Sequence, residues 1–251
     1  DDIFQTSITG SIYAIYMITF PANPADITIF ILAAGRGERM RPLSNTTPKP
    51  LLKVLGKSLL EHHLQRLATQ GFQKIIINVA HLGQKIIDTI GGGQSFGLDI
   101  IYSFEENGAL ETLGGVRNAL DKIQSEHFLL LNADIWCDCD FRSLLAHQPE
   151  VAHLLMTTNP SHHPEGDFIL EESGKLSLGL PGDGLTRQTY TGIGIYNKSF
   201  IASLDKGYSL LGPLLRAEIK KNKLSGSMHH GQWFDIGTPE RLIQVNQLLL
   251  K

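Results

Sequence analysis

The sequence predicts an α/β fold in which a doubly wound, mostly parallel sheet carries helices on both faces. Three observations favour this class. From residue 27 onward, apolar runs of strand length alternate with segments of helical period. Capping residues stand where the helical segments begin. The chain has 251 residues, 42% of them hydrophobic, which is enough for one large core.

Five strands are predicted at the apolar runs, over residues 27–33, 74–79, 99–104, 128–132 and 151–157. Between the first two, Ser58 and Glu61 form a capping box that opens a helix, and Gly71 is placed to end it. The apolar face of this helix consists of Leu60, Leu64 and Leu67. Asp140 is predicted to cap a further helix through residues 144–145.

The second half of the chain changes character. Residues 168–170 and 175–178 flank a short polar turn and are predicted to form an antiparallel hairpin. A further strand is predicted over residues 190–196. We therefore expect a small antiparallel lobe beside the parallel sheet.

The C-terminal end of the chain is predicted to be a capped helix, whereas the N-terminal end is predicted to be an extension. Thr238 is predicted to cap the last helix, within a single domain over residues 27–251. Residues 1–26 are expected to be an N-terminal extension, to which we assign no role. Its apolar stretch, residues 8–20, is too short to span a bilayer and has no basic flank, which disfavours a transmembrane helix and a secretory signal.

Charge and cysteine content narrow the class of protein. A net charge of −3 gives no basic field of the kind that nucleic-acid binding needs, so no nucleic-acid partner is expected. No membrane partner is expected either. Cys137 and Cys139 are too close together for a disulfide framework and have no partners at zinc spacing. We interpret them as reduced thiols in a cytoplasmic protein.

The most informative stretch is residues 31–42, which read Ile-Leu-Ala-Ala-Gly-Arg-Gly-Glu-Arg-Met-Arg-Pro. Gly35 and Gly37 lack a Cβ atom, so the backbone can turn sharply and bring its N–H groups close to an anion. Arg39 and Lys49 can reach inward, the first as a fork that suits phosphate oxygens and the second as a point charge. The run predicts a triphosphate site at the carboxyl end of the first strand.

Neither common nucleotide-binding loop fits this run, because Met40 replaces the last glycine of Gly-x-Gly-x-x-Gly and the Walker spacing is absent. Together with Thr47-Pro48-Lys49-Pro50, the run resembles the signature of the sugar-1-phosphate nucleotidyltransferases. The resemblance extends from about residue 29 to the C-terminus. It implies a Rossmann-like fold with a nucleotide half over about 27–158 and a sugar-side half over about 159–251. It also implies an enzyme that joins a sugar 1-phosphate to a nucleoside triphosphate.

The implied reaction brings two negatively charged partners together, so it needs a cation such as Mg²⁺, which one or two carboxylates hold with substrate phosphates. Asp134, just past an apolar strand, and Asp235, in Trp-Phe-Asp-Ile-Gly-Thr-Pro, are the candidates. A lone aspartate after a strand is also typical of caps and turns. In the family that the sequence resembles, both positions are magnesium ligands, and the resemblance carries that role to this chain.

Arg39, Lys49 and Asp134 are the predicted catalytic residues. Arg39 is expected to neutralise charge developing around the α-phosphate and the departing pyrophosphate. Lys49 is expected to bridge the nucleotide and sugar phosphates, and its flanking prolines disfavour the alternative of a solvated surface lysine. The other expected nucleotide contacts are backbone groups of Gly35, Gly37 and Glu38, and the base-recognising residues Ala33, Ala34, Glu111 and Gly114.

The choice of base and sugar depends on residues 109–115, which read Ala-Leu-Glu-Thr-Leu-Gly-Gly. This form resembles the short bacterial N-acetylmuramate 1-phosphate uridylyltransferases of cell-wall recycling, as do residues 78–83 and 210–216. Many other relatives carry Gly-Thr-Ala where this chain has Gly-Gly-Val. The resemblance favours UTP and N-acetylmuramate 1-phosphate. The alternatives are mannose 1-phosphate with GTP, glucose 1-phosphate with UTP or dTTP, and a non-catalytic nucleotide-sugar sensor.

The sugar is expected to lie at the junction of the two halves, because its hydroxyl and acetamido groups need donors and acceptors there. The expected contacts are Asn132, Gly166, Asp167, Thr191 and Gly192. Three histidine pairs, at 62–63, 162–163 and 229–230, are expected at surface or hinge positions, because adjacent histidines seldom point to one ion.

Overall fold

The structure is a computed structural model that describes residues 22–105, 110–179, 184–204 and 210–250. Of the predicted N-terminal extension, residues 1–21 lie outside the described residues. Its last part forms a single 3₁₀ turn, Pro24–Asp26, which the side chain of Asn23 caps. Residue 109 of the predicted base-recognising segment also lies outside the described residues.

Thirteen strands and six α-helices are present in the described part of the chain. The strands are β1 (Thr28–Leu32), β2 (Lys53–Val54), β3 (Lys57–Ser58), β4 (Lys74–Val79), β5 (Asp99–Phe104), β6 (His127–Asn132), β7 (Ile135–Cys137), β8 (Ala152–Thr157), β9 (Ile169–Leu170), β10 (Leu176–Ser177), β11 (Thr189–Asn197), β12 (Leu224–Met228) and β13 (Trp233–Asp235). The helices are α1 (Leu59–Thr69), α2 (Gly83–Ile90), α3 (Glu111–Asn118), α4 (Lys198–Ser203), α5 (Leu211–Ile219) and α6 (Pro239–Leu249).

Seven of the strands form one sheet in the order β12-β8-β11-β6-β1-β4-β5. Neighbouring strands are parallel except at β11, which is antiparallel to both β6 and β8. The prediction of a mostly parallel sheet is confirmed. The five predicted strands are present, with ends that shift by one residue at most.

Helices cover both faces of this sheet, as alternate residues of β1 show. Ile29 and Ile31 belong to a buried cluster that also holds the apolar face of α1. Phe30, between them, belongs to a second cluster on the other face, with Val116 of α3 and Leu215 of α5. Because successive strand residues point to opposite faces, this division is the packing expected of a doubly wound sheet.

The local signals for α1 are confirmed in detail. The Ser58 hydroxyl accepts a hydrogen bond from the Glu61 N–H at 3.2 Å, and the Glu61 carboxylate accepts one from the Ser58 N–H at 2.7 Å. Gly71 follows the helix with a left-handed φ of +88°. Leu60, Leu64 and Leu67 are fully buried. The capping box therefore fixes where the helix begins, and the glycine turns the chain towards β4.

The helix predicted after Asp140 is a 3₁₀ helix, Phe141–Ala146, rather than an α-helix. Asp140 does cap it, since its carboxylate accepts the Arg142 N–H at 3.1 Å. Phe141 and Leu144 are both buried and three residues apart, so the tighter helix places them on the same side.

Small antiparallel pairs account for the rest of the sheet structure. β9 and β10 form the predicted hairpin, β13 pairs with β7, and β2 pairs with β3. The strand predicted over residues 190–196 as part of the small lobe lies instead within β11, in the middle of the seven-stranded sheet. Its pairing with β8 shifts register between Tyr190 and Gly194, so the strand bulges there.

Among the described helices, none has the length and apolar character required to cross a bilayer.

Candidate active site

The glycine loop lies at the carboxyl end of β1, as predicted. A Cβ atom added at Gly35 would meet nothing within 4 Å, so the backbone there faces open space. Gly37 has a left-handed φ of +62°, and a Cβ atom added there would lie 3.4 Å from the Cβ atoms of Ser44 and Lys49. The Ser44 hydroxyl donates to the Gly37 carbonyl at 2.8 Å. The loop is therefore folded directly onto the segment that carries Lys49.

Lys49 is a buried cation. It begins the 3₁₀ helix Lys49–Leu51 between two prolines, and only 8% of the residue is exposed. Its Nζ atom donates to Oδ2 of Asp134 at 2.5 Å. The alternative of a solvated surface lysine is wrong, because the ammonium group is directed inward onto a carboxylate.

A cavity of about 500 Å³ opens beside the glycine loop, and we call it the loop cavity. Eight of the nine predicted nucleotide-binding residues line it: Ala33, Ala34, Gly35, Gly37, Glu38, Arg39, Lys49 and Glu111. The ninth, Gly114, is not among its lining residues. It lies within α3, where an added Cβ atom would lie 2.8 Å from the Leu110 Cβ atom, so its position serves close packing.

A second cavity, of about 390 Å³, lies between β11, β13 and the start of α6, and we call it the β11 cavity. Four of the five predicted sugar-binding residues line it: Asn132, Asp167, Thr191 and Gly192. Gly166 does not. An added Cβ atom at Gly166 would lie 2.8 Å from the Arg187 backbone, so this glycine shapes the turn that presents Asp167.

The bulge of β11 fits tightly around Asn132. An added Cβ atom at Gly192 would lie 2.4 Å from Asn132 Nδ2, so a side chain at this position would displace the amide. The Thr191 hydroxyl donates to the Leu155 carbonyl at 2.7 Å, and the Trp233 indole donates to the Thr191 carbonyl at 2.9 Å. The hydroxyl of Thr191 therefore anchors the bulge.

The two cavities meet, since Arg39, Asn132 and Asp134 line both of them. The guanidinium of Arg39 makes no hydrogen bond or ion pair with any residue that the structure describes. A cation, an amide and a carboxylate thus mark the boundary across which groups in the two cavities would face each other.

Asp134 and Asp235 are brought together by the pairing of β7 with β13. Asp235 lies opposite Ile135, and the Ile236 N–H donates to the Asp134 carbonyl at 3.0 Å. Both side chains line the β11 cavity. Carboxylate oxygens are the ligands that Mg²⁺ prefers, and one or two of them are usual beside substrate phosphates, so the donor set fits this ion.

Asp235 has two partners that were not predicted. Its Oδ2 atom forms an ion pair with Arg241 and lies 3.4 Å from Nε2 of His162. Nε2 of His163 lies 3.2 Å from Oδ1 of Asp167. Burial, followed by the nearby charge of Arg241, lowers the pKa of His162. His162, His163 and Arg241 line the β11 cavity.

The expectation of surface or hinge positions for the histidine pairs is wrong for His63. This residue is 2% exposed on the inner face of α1, and burial lowers its pKa to about 4. No signal in the sequence indicated the positions of His63 and His162, because the contacts that bury or pair these two residues come from segments distant in sequence.

Two buried polar residues of the loop cavity were also missed. Asn78 of β4 and Glu105, just after β5, line this cavity and are 2% and 4% exposed. For Asn78 the sequence held two signals, namely a polar residue inside the apolar run Ile-Ile-Ile-Asn-Val and the resemblance of residues 78–83.

Comparison with known proteins bears on the family. A sequence model of the family described as "Nucleotidyl transferase" matches residues 28–168. The N-acetylmuramate alpha-1-phosphate uridylyltransferase of Neisseria meningitidis serogroup B is 44% identical over 225 residues, which cover 87% of this chain and 96% of that protein. The protein of the same name from Caulobacter vibrioides is 30% identical over 222 residues, 84% of this chain and 91% of that protein.

Comparison with solved structures bears on the fold. The crystal structure of HddC from Yersinia pseudotuberculosis complexed with GMP-PN matches with a TM-score of 0.74 at 21% identity, over 89% of this chain and 99% of that one. The Rossmann-like nucleotidyltransferase fold that the resemblance implied is confirmed.

Proposed function

The chain belongs to the nucleotidyl transferase family, and we propose that it transfers the uridylyl group of UTP to a sugar 1-phosphate, releasing pyrophosphate. The acceptor we propose is N-acetylmuramate 1-phosphate. The two uridylyltransferases reported above support this choice, since each aligns along most of its own length. The setting we propose is peptidoglycan recycling in the cytoplasm. Two free, buried thiols, Cys137 and Cys139, fit a reducing compartment.

One observation carries the proposal, namely that the loop cavity and the β11 cavity share Arg39, Asn132 and Asp134. A transferase must hold donor and acceptor in separate pockets that meet at the reacting atoms. UTP would occupy the loop cavity and the sugar 1-phosphate the β11 cavity. The boundary between them would then hold the α-phosphorus.

The proposed step is an in-line displacement. An oxygen of the sugar phosphate forms a bond to the α-phosphorus of UTP, and the bond from that phosphorus to the pyrophosphate oxygen breaks. Arg39 and Lys49 would offset the negative charge of the two phosphate groups. The open backbone at Gly35 and the turn at Gly37 would present N–H groups to the triphosphate, with Glu38.

Mg²⁺, when bound, would further neutralise the phosphates, and Asp134 and Asp235 are the side chains we propose as its ligands. The support is that Asp134, just before β7, and Asp235, on the paired strand β13, line one cavity. We also propose that Ala33, Ala34, Glu111 and Gly114 recognise the base, and that Asn132, Gly166, Asp167, Thr191 and Gly192 form the sugar subsite.

The test measures turnover of nucleoside triphosphates with sugar 1-phosphates, with pyrophosphate release as the readout, in MgCl₂ and in EDTA. UTP, dTTP and GTP are each paired with N-acetylmuramate, glucose and mannose 1-phosphate. We expect the highest kcat/KM with UTP and N-acetylmuramate 1-phosphate, and no pyrophosphate release in EDTA. Turnover of GTP with mannose 1-phosphate alone would contradict the uridylyl assignment.

Thermal unfolding with the same nucleotides separates an enzyme from a sensor. A nucleotide at a hundred times its Kd stabilises the folded state by about 2.7 kcal/mol. We expect UTP to raise the Tm more than GTP does. Stabilisation by UTP without turnover of any of the three sugar phosphates would favour the sensor.

A further inference from the structure

A chain of three hydrogen bonds runs beneath the loop cavity. The Ala33 N–H donates to Asn78 Oδ1 at 2.6 Å, and Asn78 Nδ2 donates to Glu105 Oε1 at 2.7 Å. The Leu110 N–H donates to Glu105 Oε2 at 2.7 Å. The chain connects the end of β1 to the residue that precedes α3, through side chains of two other segments.

Both sides of the loop cavity are therefore joined from below. Ala33 opens the glycine loop on one side, and Glu111 and Thr112 of α3 line the cavity on the other. Asn78 and Glu105 are almost fully buried, so each polar atom needs a partner. Each oxygen of Glu105 accepts a hydrogen bond from a protein N–H group. The Asn78 amide oxygen accepts the Ala33 N–H, and the amide nitrogen donates to Glu105.

Helix α3 packs against this pair more closely than a side chain would allow. An added Cβ atom at Gly115 would lie 2.5 Å from Glu105 Oε1 and 2.7 Å from Asn78 Nδ2. The first residue of the helix, Glu111, has a left-handed φ of +62°. A non-glycine residue keeps such a backbone only where its surroundings hold it, and Glu105 binds the N–H of Leu110, the residue just before Glu111.

We infer that Asn78 and Glu105 are positioning residues for the nucleotide: they fix the glycine loop and the start of α3 at the separation that the nucleotide base requires. The inference rests on the proposed function and names residues outside its assigned contacts. Both Glu105 oxygens already bind protein donors, so the role is to place other groups.

Donor and acceptor matching gives a sharp test. In Glu105→Gln, the new amide nitrogen must face either Asn78 Nδ2 or the Leu110 N–H, and both are donors. In Asn78→Asp, two carboxylate oxygens would face each other. In the double variant Asn78→Asp/Glu105→Gln, the introduced glutamine donates to the introduced aspartate, which still accepts the Ala33 N–H, while the glutamine oxygen accepts the Leu110 N–H. The double variant restores every pairing with isosteric side chains.

The experiment measures the Kd of UTP by calorimetry, steady-state kinetics for both substrates, and the Tm without ligand. We expect Glu105→Gln to raise the Kd and KM of UTP at least tenfold, with the KM of the sugar phosphate changed less than twofold. The double variant is expected to recover most of the UTP affinity. Gly115→Ala changes no polar group but would displace Glu105 and Asn78, so it is expected to weaken UTP binding in the same way.

A matched control is His153→Gln, since His153 is 2% exposed between the hydroxyls of Ser225 and Ser227 and lines neither cavity. It is expected to lower the Tm and leave the Kd of UTP unchanged. The inference is overturned if Glu105→Gln and Gly115→Ala lower only the Tm, or if the double variant fails to recover UTP affinity. Wild-type protein that binds UTP without turnover contradicts the proposed function alone, because the Kd still tests the positioning role.

Discussion

The ammonium of Lys49 and the carboxylate of Asp134 form an ion pair of 2.5 Å between segments that lie 85 residues apart in sequence. Lys49 is 8% exposed, whereas about a third of the Asp134 side chain, 36%, remains open to solvent. The lysine thus holds one carboxylate oxygen from the buried side. Asp134 is left facing the cavity boundary, where a cation or a phosphate would arrive.

Replacing Asp134 by Asn tests the metal-ligand role we propose. The amide keeps the shape and removes the charge that would attract Mg²⁺, so we expect kcat to fall by at least about 10²-fold, as loss of several kcal/mol of stabilisation implies. The measurement is pyrophosphate release across a series of Mg²⁺ concentrations. The control is Asp138→Asn, since Asp138 is 40% exposed, pairs with His229 and lines neither cavity. Equal rates for both variants and wild type would remove the role assigned to Asp134.

Two glycines with similar backbones separate strain from function. Gly37 and Gly56 have φ of +62° and +82°, so alanine at either is expected to cost about 1–2 kcal/mol of stability. An added Cβ atom at Gly37 would also contact Lys49 at 3.4 Å beside the loop cavity, whereas at Gly56 it would meet nothing within 4 Å. We therefore expect both variants to be destabilised in urea, and only Gly37→Ala to lose at least tenfold in kcat/KM. Matching activity losses would contradict a special role for the Gly37 turn.

The buried His63 predicts how stability depends on pH. Burial lowers its pKa from 6.5 to about 4, while a hydrogen bond to the Ile135 backbone acts in the opposite direction. The unfolded chain binds a proton at pH 5 that the folded chain does not. Stability is therefore complete above pH 6.5 and is lost as the pH falls towards 4, by about 2 kcal/mol at pH 5 relative to pH 8.

The measurement is urea unfolding of wild type and His63→Leu at pH 8 and pH 5. We expect the variant to lose less free energy of unfolding on acidification, because it lacks the titrating group. His153, whose pKa is also lowered to about 4 by burial, is retained in both proteins and contributes equally. An identical loss in the two proteins would show that His63 is not the source.

Local signals explain what could be predicted from the sequence. The capping box of Ser58 and Glu61, the apolar runs and the glycine loop each depend on residues close together in the chain. Because the carboxyl ends of parallel strands share one edge, the loop after β1 and the residues after β6 could be assigned to one crevice. These features could be predicted because each depends either on residues within one element or on the edge that parallel strands share.

The rest depended on contacts between distant elements. His162 lies 3.4 Å from Asp235 of β13, and the Glu105 carboxylate binds both Asn78 and the N–H of Leu110, just before α3. The β11 bulge arises from a register shift against β8, and Gly192 inside the strand is a local signal for it that does not give the partner strand. Only the folded chain determines which donor meets which acceptor, so these partners needed the structure.

Arg39 offers the clearest separation of activity from stability. Its side chain lines both cavities and makes no ion pair within the described residues, so Arg39→Ala is expected to change the free energy of unfolding by less than about 0.5 kcal/mol. We expect kcat to fall about 10²–10³-fold, as for loss of one preorganised donor. Arg39→Lys should recover only part of this, because a point charge replaces a fork. The control is Arg41→Ala. The guanidinium of Arg41 lies 3.9 Å from Glu38, and Arg41 lines neither cavity. If Arg41→Ala were as inactive as Arg39→Ala, the loss would reflect general positive charge near the loop, and the role proposed for Arg39 would fail.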